Sequence, residues 1–253
     1  MQTSSALNKS VERLSSGLRV NSAADDPSGL VNAVGMQNQA DGMGQAIRNA
    51  NDGINVVKTA EAALNEVHNL LGQMRTLALH AANDGANSSD AIAADDAALQ
   101  KAVDSIDRIS QKTEFNGNKL LDGNFSKNFQ IGANSGDTVA LSIGGVDKST
   151  LGIDSLDLTS DTSGAIDAID DAITTVSDVR TELGTFQKYT LETTVNSLSI
   201  AQENIQASES TIRDADVAGE MVTFTRNNIM LQAGTAMLAQ ANQAPQQLLS
   251  LLR

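Results

Sequence analysis

The stretch LETTVNSLSIAQENIQASESTIRDADVAGEMVTFTRNNIMLQAGTAMLAQANQAPQQLLSLLR, Leu191 to Arg253, decides how this chain reads. Apolar residues recur every seven positions at Leu191, Leu198, Ile205 and Ile212, with Val195 four on from the first. That spacing marks an amphipathic helix with a narrow coiled-coil seam. A second series of the same period runs Val217, Phe224, Leu231 and Leu238, but it begins five residues after Ile212. At about 100° per residue the apolar stripe turns there by roughly 140°, so the two halves face different neighbours. No proline interrupts the stretch before Pro245. Helical throughout, it would span on the order of 90 Å, a length suited to joining partners.

Composition agrees with thin helix-helix seams. The 253 residues include no Trp, one Tyr (Tyr189) and five Phe, so Ala, Leu, Ile, Val and Met must supply the core. The net charge of −14 argues against nucleic acid, which needs clustered Lys and Arg to displace counterions. An acidic surface keeps an abundant chain soluble until assembly. With no Cys, neither disulfides nor thiol chemistry can operate. The opening MQTSSALNKSVERLSSG lacks the apolar core of a cleaved signal peptide, and no apolar run reaches membrane-spanning length. No membrane insertion is expected.

Taken in order, Leu7, Val11, Leu14 and Leu18 place one apolar stripe on a short first helix. RVNSAADDPSG then reads as turn chemistry, a joint between two layers. A long helix is predicted from about Gln39 to Asn83, and a third from about Asp90 to Gln111 with Asp95, Asp96, Asp104 and Asp107 facing outward. NFQIGANSGDTVALSIGG alternates, with Phe129 and Ile131 before a turn at Asn134–Gly136 and Val139, Leu141 and Ile143 after it, which fits a β-hairpin. Short turns follow. Thr162 and Ser163 are N-cap candidates for a fourth helix that carries Ile166, Ile169, Ile173, Val176 and Leu183. Both termini are expected at the same end of a rod, as natural partners.

Several ordered motifs resemble those of bacterial flagellins. ERLSSGLRVNSAADDPSG (Glu12 to Gly29), RNANDG (Arg48 to Gly53), AEAALNEVHNLLGQMRTLA, FNGNKLLDG (Phe115 to Gly123) and FQIGAN (Phe129 to Asn134) are similar to the family's N-terminal region. STIRDADVAGEM and LQAGTAMLAQANQAPQQLLSLLR are similar to its C-terminal region. The resemblance implies a mainly α fold, a long helical coiled-coil rod of inner and outer helical domains with a small β-hairpin. It places the N-terminal part of the inner domain at 1–26, the outer domain at 27–212 with its hairpin around 125–146, and the C-terminal part of the inner domain at 213–253. Large outer domains are absent, so the form is minimal. The family's first helix normally extends several turns upstream of the residues matching Ser4 to Leu18, which here begins at Met1 and would leave Met237, Leu238, Leu248, Leu249, Leu251 and Leu252 without their usual partner.

The function so implied is a structural, motility-supporting subunit that polymerises into an extracellular filament after secretion through the flagellar type III apparatus. A hook-filament junction protein is the alternative, although it would be expected to diverge in the LAQANQ and SLLR tail that this chain keeps. Intersubunit or terminal seams would use Leu7, Val11, Leu14, Leu18, Val217, Met221, Phe224, Leu231 and Leu238. An export chaperone would bind Phe224, Leu231, Leu238, Leu248 and Leu249. Cap and hook-filament junction proteins are further partners. The animal flagellin receptor would face Gln73, Leu77 and Ser105, and activation would be weak, because Gln73 and Ser105 replace an Arg and a Glu of strongly activating members.

Nothing in the sequence marks an enzyme or a cofactor. His68 and His80 have no spaced carboxylate partner that would mark a metal site, and no HExxH occurs. The doublets Asp25-Asp26, Asp95-Asp96 and Asp170-Asp171 read as solvated or capping carboxylates. Neither GxxxxGK nor a strand followed by GxGxxG appears. Met221, Met230 and Met237 read as seam filling, with an adaptable chaperone groove as the functional reading.

Overall fold

The computed structural model describes the backbone of residues 2–251 and the side chains of residues 3–241. It is mainly helical: α1 Gln2–Ser16, α2 Pro27–Ala81, α3 Ser89–Lys112, α4 Thr162–Thr185, a π-helix Phe186–Glu192, α5 Thr193–Arg213 and α6 Val217–Leu251. Two antiparallel hairpins sit between α3 and α4, β1 Glu114–Phe115 with β2 Asn118–Lys119, and β3 Phe125–Gln130 with β4 Thr138–Ile143. By packing the chain forms two compact units, Met1–Asp41 with Ala201–Arg253, and Gly42–Ile200. The breaks in helix continuity lie elsewhere, at residues 17–26, where the turn chemistry stands, and at 214–216, where the apolar stripe changes phase.

In the first unit α1 packs along α6. Gly17, at φ 73°, ends α1 in the left-handed region that a side chain would oppose, and its amide returns to the Arg13 carbonyl. The chain then crosses the α5–α6 break. Leu18 pairs with Asp214, the Arg19 amide donates to Arg213 O at 2.6 Å, and the Ala215 amide donates to Gly17 O at 2.9 Å. Asp216 caps α6 by accepting from the amides of Ala218 and Gly219 at 3.0 and 3.2 Å. The stretch from Leu191 is therefore not one helix. It is broken where the stripe changes phase.

α2 begins at Pro27, not near Gln39. Proline needs no amide partner in the first turn, and Asp26 supplies the cap by accepting from Gly29 N at 2.9 Å. The apolar face of these first turns is largely alanine, with Ala33 and Ala40 buried. A stripe of alanines escapes a reading tuned to large side chains.

The second unit holds one core. Leu64, Leu71 and Met74 of α2, Leu99 and Ile106 of α3, Ile169 and Leu183 of α4 and Leu191 of the π-helix are all fully buried in it. The β3–β4 register pairs Phe125 with Ile143, Lys127 with Leu141 and Phe129 with Val139, and Phe125, Leu141 and Ile143 enter the core. The smaller hairpin has no counterpart in the alternation reading. Its signal was Asn116-Gly117, both at positive φ as a two-residue type I′ turn requires. The segment after β4 is turns, as expected, but Val146, Leu151, Ile153 and Leu158 pin it into the core.

Three local expectations change. Asp161, not Thr162 or Ser163, caps α4, accepting from Gly164 N at 2.9 Å. Asp95 and Asp96 do not simply face outward: Asp95 lies 2.5 Å from His80 Nδ1, and Asp96 accepts from Leu158 N at 3.0 Å. The third helix ends one residue later than expected, where Thr113 N donates to Ile109 O.

Candidate functional site: an uncovered face of α6

α6 has 35 residues against 15 in α1. At 1.5 Å per residue that is roughly 52 Å of helix against roughly 22 Å, more than α1 can cover. The apolar side chains left in water run along it: Val217, Met221, Val222, Ile229, Met230, Met237 and Leu238. Met221, Val222, Thr225, Arg226, Ile229 and Met230 line one shallow apolar depression, and Ala236, Met237, Leu238, Gln240 and Ala241 line another. Water-exposed apolar rows of this extent mark interaction surfaces.

The seam residues divide. Leu7, Leu14, Leu18, Phe224 and Leu231 are half-buried, whereas Val11, Val217, Met221 and Leu238 are exposed. Leu248 and Leu249 lie outside the residues whose side chains are described. The deepest side chains of the first unit include two polar ones, Ser10 and Asn227. Both sit at heptad positions, Ser10 three after Leu7 and Asn227 three after Phe224, and only a search that ignored side-chain polarity would have placed them in a seam.

Gln73 is exposed, while Leu77 and Ser105 are half-buried. Ser105 Oγ donates to the Lys101 carbonyl at 2.8 Å, a bond within its own helix. Nearby, Arg75 forms a two-point pair with Asp170, Nε to Oδ1 at 2.6 Å and Nη2 to Oδ2 at 3.3 Å, joining α2 to α4. Hydrogen bonding to Arg75 holds the Asp170 carboxyl below its ordinary range.

The acidic doublets serve structure. Asp25 lies 2.6 Å from Lys9 Nζ and accepts from Ser22 N and Asn21 N, which together hold its carboxyl far below the ordinary value, while Asp26 caps α2. Asp147 and Asp157 are lowered by hydroxyls of their own turns, Ser149 and Thr150 for the first and Thr159 for the second. Among the described residues no group of three or more His, Cys, Asp and Glu could hold a metal ion. No helix among them is long and apolar enough to cross a membrane.

The profile of the bacterial flagellin N-terminal helical region matches residues 1–126, and that of the C-terminal helical region matches residues 166–252. A flagellin of Halalkalibacterium halodurans is 47% identical over 250 residues, covering 97% of this chain and 91% of the relative. A flagellin of Bacillus subtilis is 42% identical, covering 98% and 93%. The crystal structure of Bacillus cereus flagellin superposes with a TM-score of 0.53 at 32% identity, over 60% of this chain and 88% of that one. A flagellar hook-associated protein of Vibrio parahaemolyticus shares the fold, with a TM-score of 0.64 over 75% of this chain, at only 17% identity. With both terminal profiles and full-length relatives in agreement, the chain belongs to the bacterial flagellin family.

Proposed function

We infer that this chain is the structural subunit that polymerises into the extracellular filament of the bacterial flagellum and so supports motility. The observation that carries the reading is the α6 face, apolar and in water, in a chain whose flagellin relatives span almost all of it. A subunit that leaves such a face open gains its burial only from other copies, and copies joined head to tail build an open helical polymer. The hook-filament junction reading has no support of its own, because the likeness to a hook-associated protein extends to the fold alone.

Secretion follows the flagellar type III route without cleavage. An export chaperone holds α6 in the cytoplasm, covering Phe224, Leu231 and Leu238, with Leu248 and Leu249 in the same tail, and methionines such as Met221, Met230 and Met237 suit that adaptable contact. Cap and junction proteins meet the growing and basal ends of the filament. The inner domain comprises 1–26 and 213–253, and the outer domain 27–212. Toward the animal flagellin receptor the chain is a weak activator. The test of the filament reading is complementation: expressed in a bacterium lacking its own flagellin, the chain restores filaments by electron microscopy and swimming in soft agar. Secreted protein with bare hooks and no swimming would overturn it.

A further inference from the structure

Three of the chain's five phenylalanines meet at one hollow of the second unit. Phe115 of β1, Phe125 and Phe129 of β3 and Val56 of α2 line a space of about 530 Å³, inside the range of roughly 300–1,000 Å³ that small-molecule sites occupy. The rest of its lining is polar: Asp52, Asn116, Asn118, Lys127 and Asn128. A second hollow of about 320 Å³ adjoins it, sharing Asn118, Phe125 and Lys127 and adding Lys119, Asp122 and Asn124.

The local sequence holds these walls in place. β3 alternates, so Phe125, Lys127 and Phe129 share one face of the strand. Gly53 lets that face approach α2 closely, since a Cβ there would meet Phe129 at 3.4 Å and Leu191 at 3.3 Å. On the opposite side the Asn116-Gly117 turn is anchored by the residues that follow it. Leu120 and Leu121 are fully buried, and Leu120 N donates to Thr113 O at 3.0 Å. The hollow is therefore formed before any ligand arrives, as small-molecule sites usually are.

Its hydrogen-bonding groups are not engaged by the protein. Elsewhere around the hairpins asparagine amides have partners: Asn49 donates to Gln130 O at 3.0 Å, Asn124 to Asp122 O at 3.3 Å and Asn134 to Asp137 at 3.2 Å. Asn116, Asn118 and Asn128 are exposed, and among the described residues their side-chain amides have no partner. Asp52 and Lys127 form no ion pair among them either. Each free amide offers a carbonyl acceptor and two N–H donors, which complements adjacent hydroxyl groups. Phenyl rings supply flat apolar surface. One carboxylate and one ammonium face the larger hollow, so its charge favours neither an anion nor a cation. An apolar floor ringed by amides at balanced charge suits a sugar ring, which is apolar on its C–H face and hydroxylated along its edge.

We propose that the paired hollows bind a neutral disaccharide, one pyranose in each, with Asn118 and Lys127 contacting both. The site lies within a single subunit, so it requires no polymer and stands apart from the filament reading.

The test is saturation-transfer difference NMR on the dilute full-length chain, titrated in turn with maltose, cellobiose, lactose and chitobiose. At least one of these sugars is expected to bind saturably. Asn118→Ala and Asn128→Ala, both at exposed positions, should each weaken that binding about five- to tenfold, the loss of one hydrogen bond, and together should abolish the signal. Phe115→Leu keeps apolar bulk without the ring and should weaken binding at least as much. Asn65→Ala, at an exposed amide of α2 outside both hollows, should leave it unchanged. Melting curves show whether each variant folds, and if Phe115→Leu does not, the asparagine pair decides the matter alone. Binding by none of these sugars, or binding that survives the paired asparagine change, would overturn the site. Sialyllactose binding more tightly than lactose would overturn the assignment of a neutral ligand.

Discussion

Leu238 is 65% exposed in the subunit, on the face of α6 that the described residues leave in water. Leu238→Ala removes three carbons, worth about 0.8 kcal/mol each if fully buried. Scaled by the uncovered share, the loss on assembly is roughly 1.5 kcal/mol, a little over tenfold in critical concentration. Leu238→Asp adds an unpaired carboxylate to the same seam, a cost of at least several kcal/mol, and should abolish growth at micromolar subunit. The monomer should not notice either change, since surface substitutions usually stay within about 0.5 kcal/mol. Leu231 is half-buried already, so Leu231→Ala should lower monomer stability by about 1 kcal/mol as well as weaken growth. Pelleting of seeded reactions gives the critical concentration and thermal unfolding gives the monomer value. A Leu238→Ala protein that melts early yet elongates seeds like the wild type would refute the assignment of this face to an intersubunit seam.

Other consequences are narrower. Ser110 is buried and donates to Leu121 O, which also accepts from Val146 N, so Ser110→Ala strands no acceptor and should cost only about 1 kcal/mol in denaturant unfolding. Leu64→Ala opens the centre of the second unit's core and should cost about 2–5 kcal/mol in the same assay. Asp25 and Asp170 titrate below their ordinary value of 3.8 because Lys9 and Arg75 hold them charged; the stability this gives is present above about pH 4 and is lost as pH falls through the lowered values. Replacing both by Asn should therefore flatten the acid limb of a stability-against-pH curve, and an unchanged limb would contradict those pairings. Gln73→Arg with Ser105→Glu should raise receptor activation in reporter cells, while equal potency of the two proteins would remove those positions from the receptor surface.

Much of the fold was legible because large apolar residues keep helical or alternating spacing. Leu99 and Ile106, Ile169 and Val176, and the Phe129/Val139 hairpin stand where the pattern put them. What escaped lacked that signal. Ala33 and Ala40 bury the early turns of α2 without the volume that a periodicity reading weighs, and Ser10 and Asn227 occupy seam positions with polar side chains. The π-helix at Phe186–Glu192 runs within a continuous helical stretch, two residues after Gly184, and its own seven residues include no proline or glycine to announce it. The phase break between Ile212 and Val217 was visible as arithmetic, but its cause was not. Capping by Asp216 is local, but the pairing of Leu18 with Asp214 depends on a segment about 200 residues away in sequence. The α6 face was legible as a stripe, and the short first helix already implied that Met237 and Leu238 would lack a partner; the structure adds that Val217, Met221, Val222, Ile229 and Met230 stay in water too.

Subunit identity is tested most directly by adding purified full-length chain to sheared filament fragments and measuring amide hydrogen exchange along α6 before and after sedimentation. Growth of the fragments, with residues 217–241 slow to exchange only in the pellet, is the expected result. A chain that stays in the supernatant at high concentration, with the same α6 amides already protected, would contradict it.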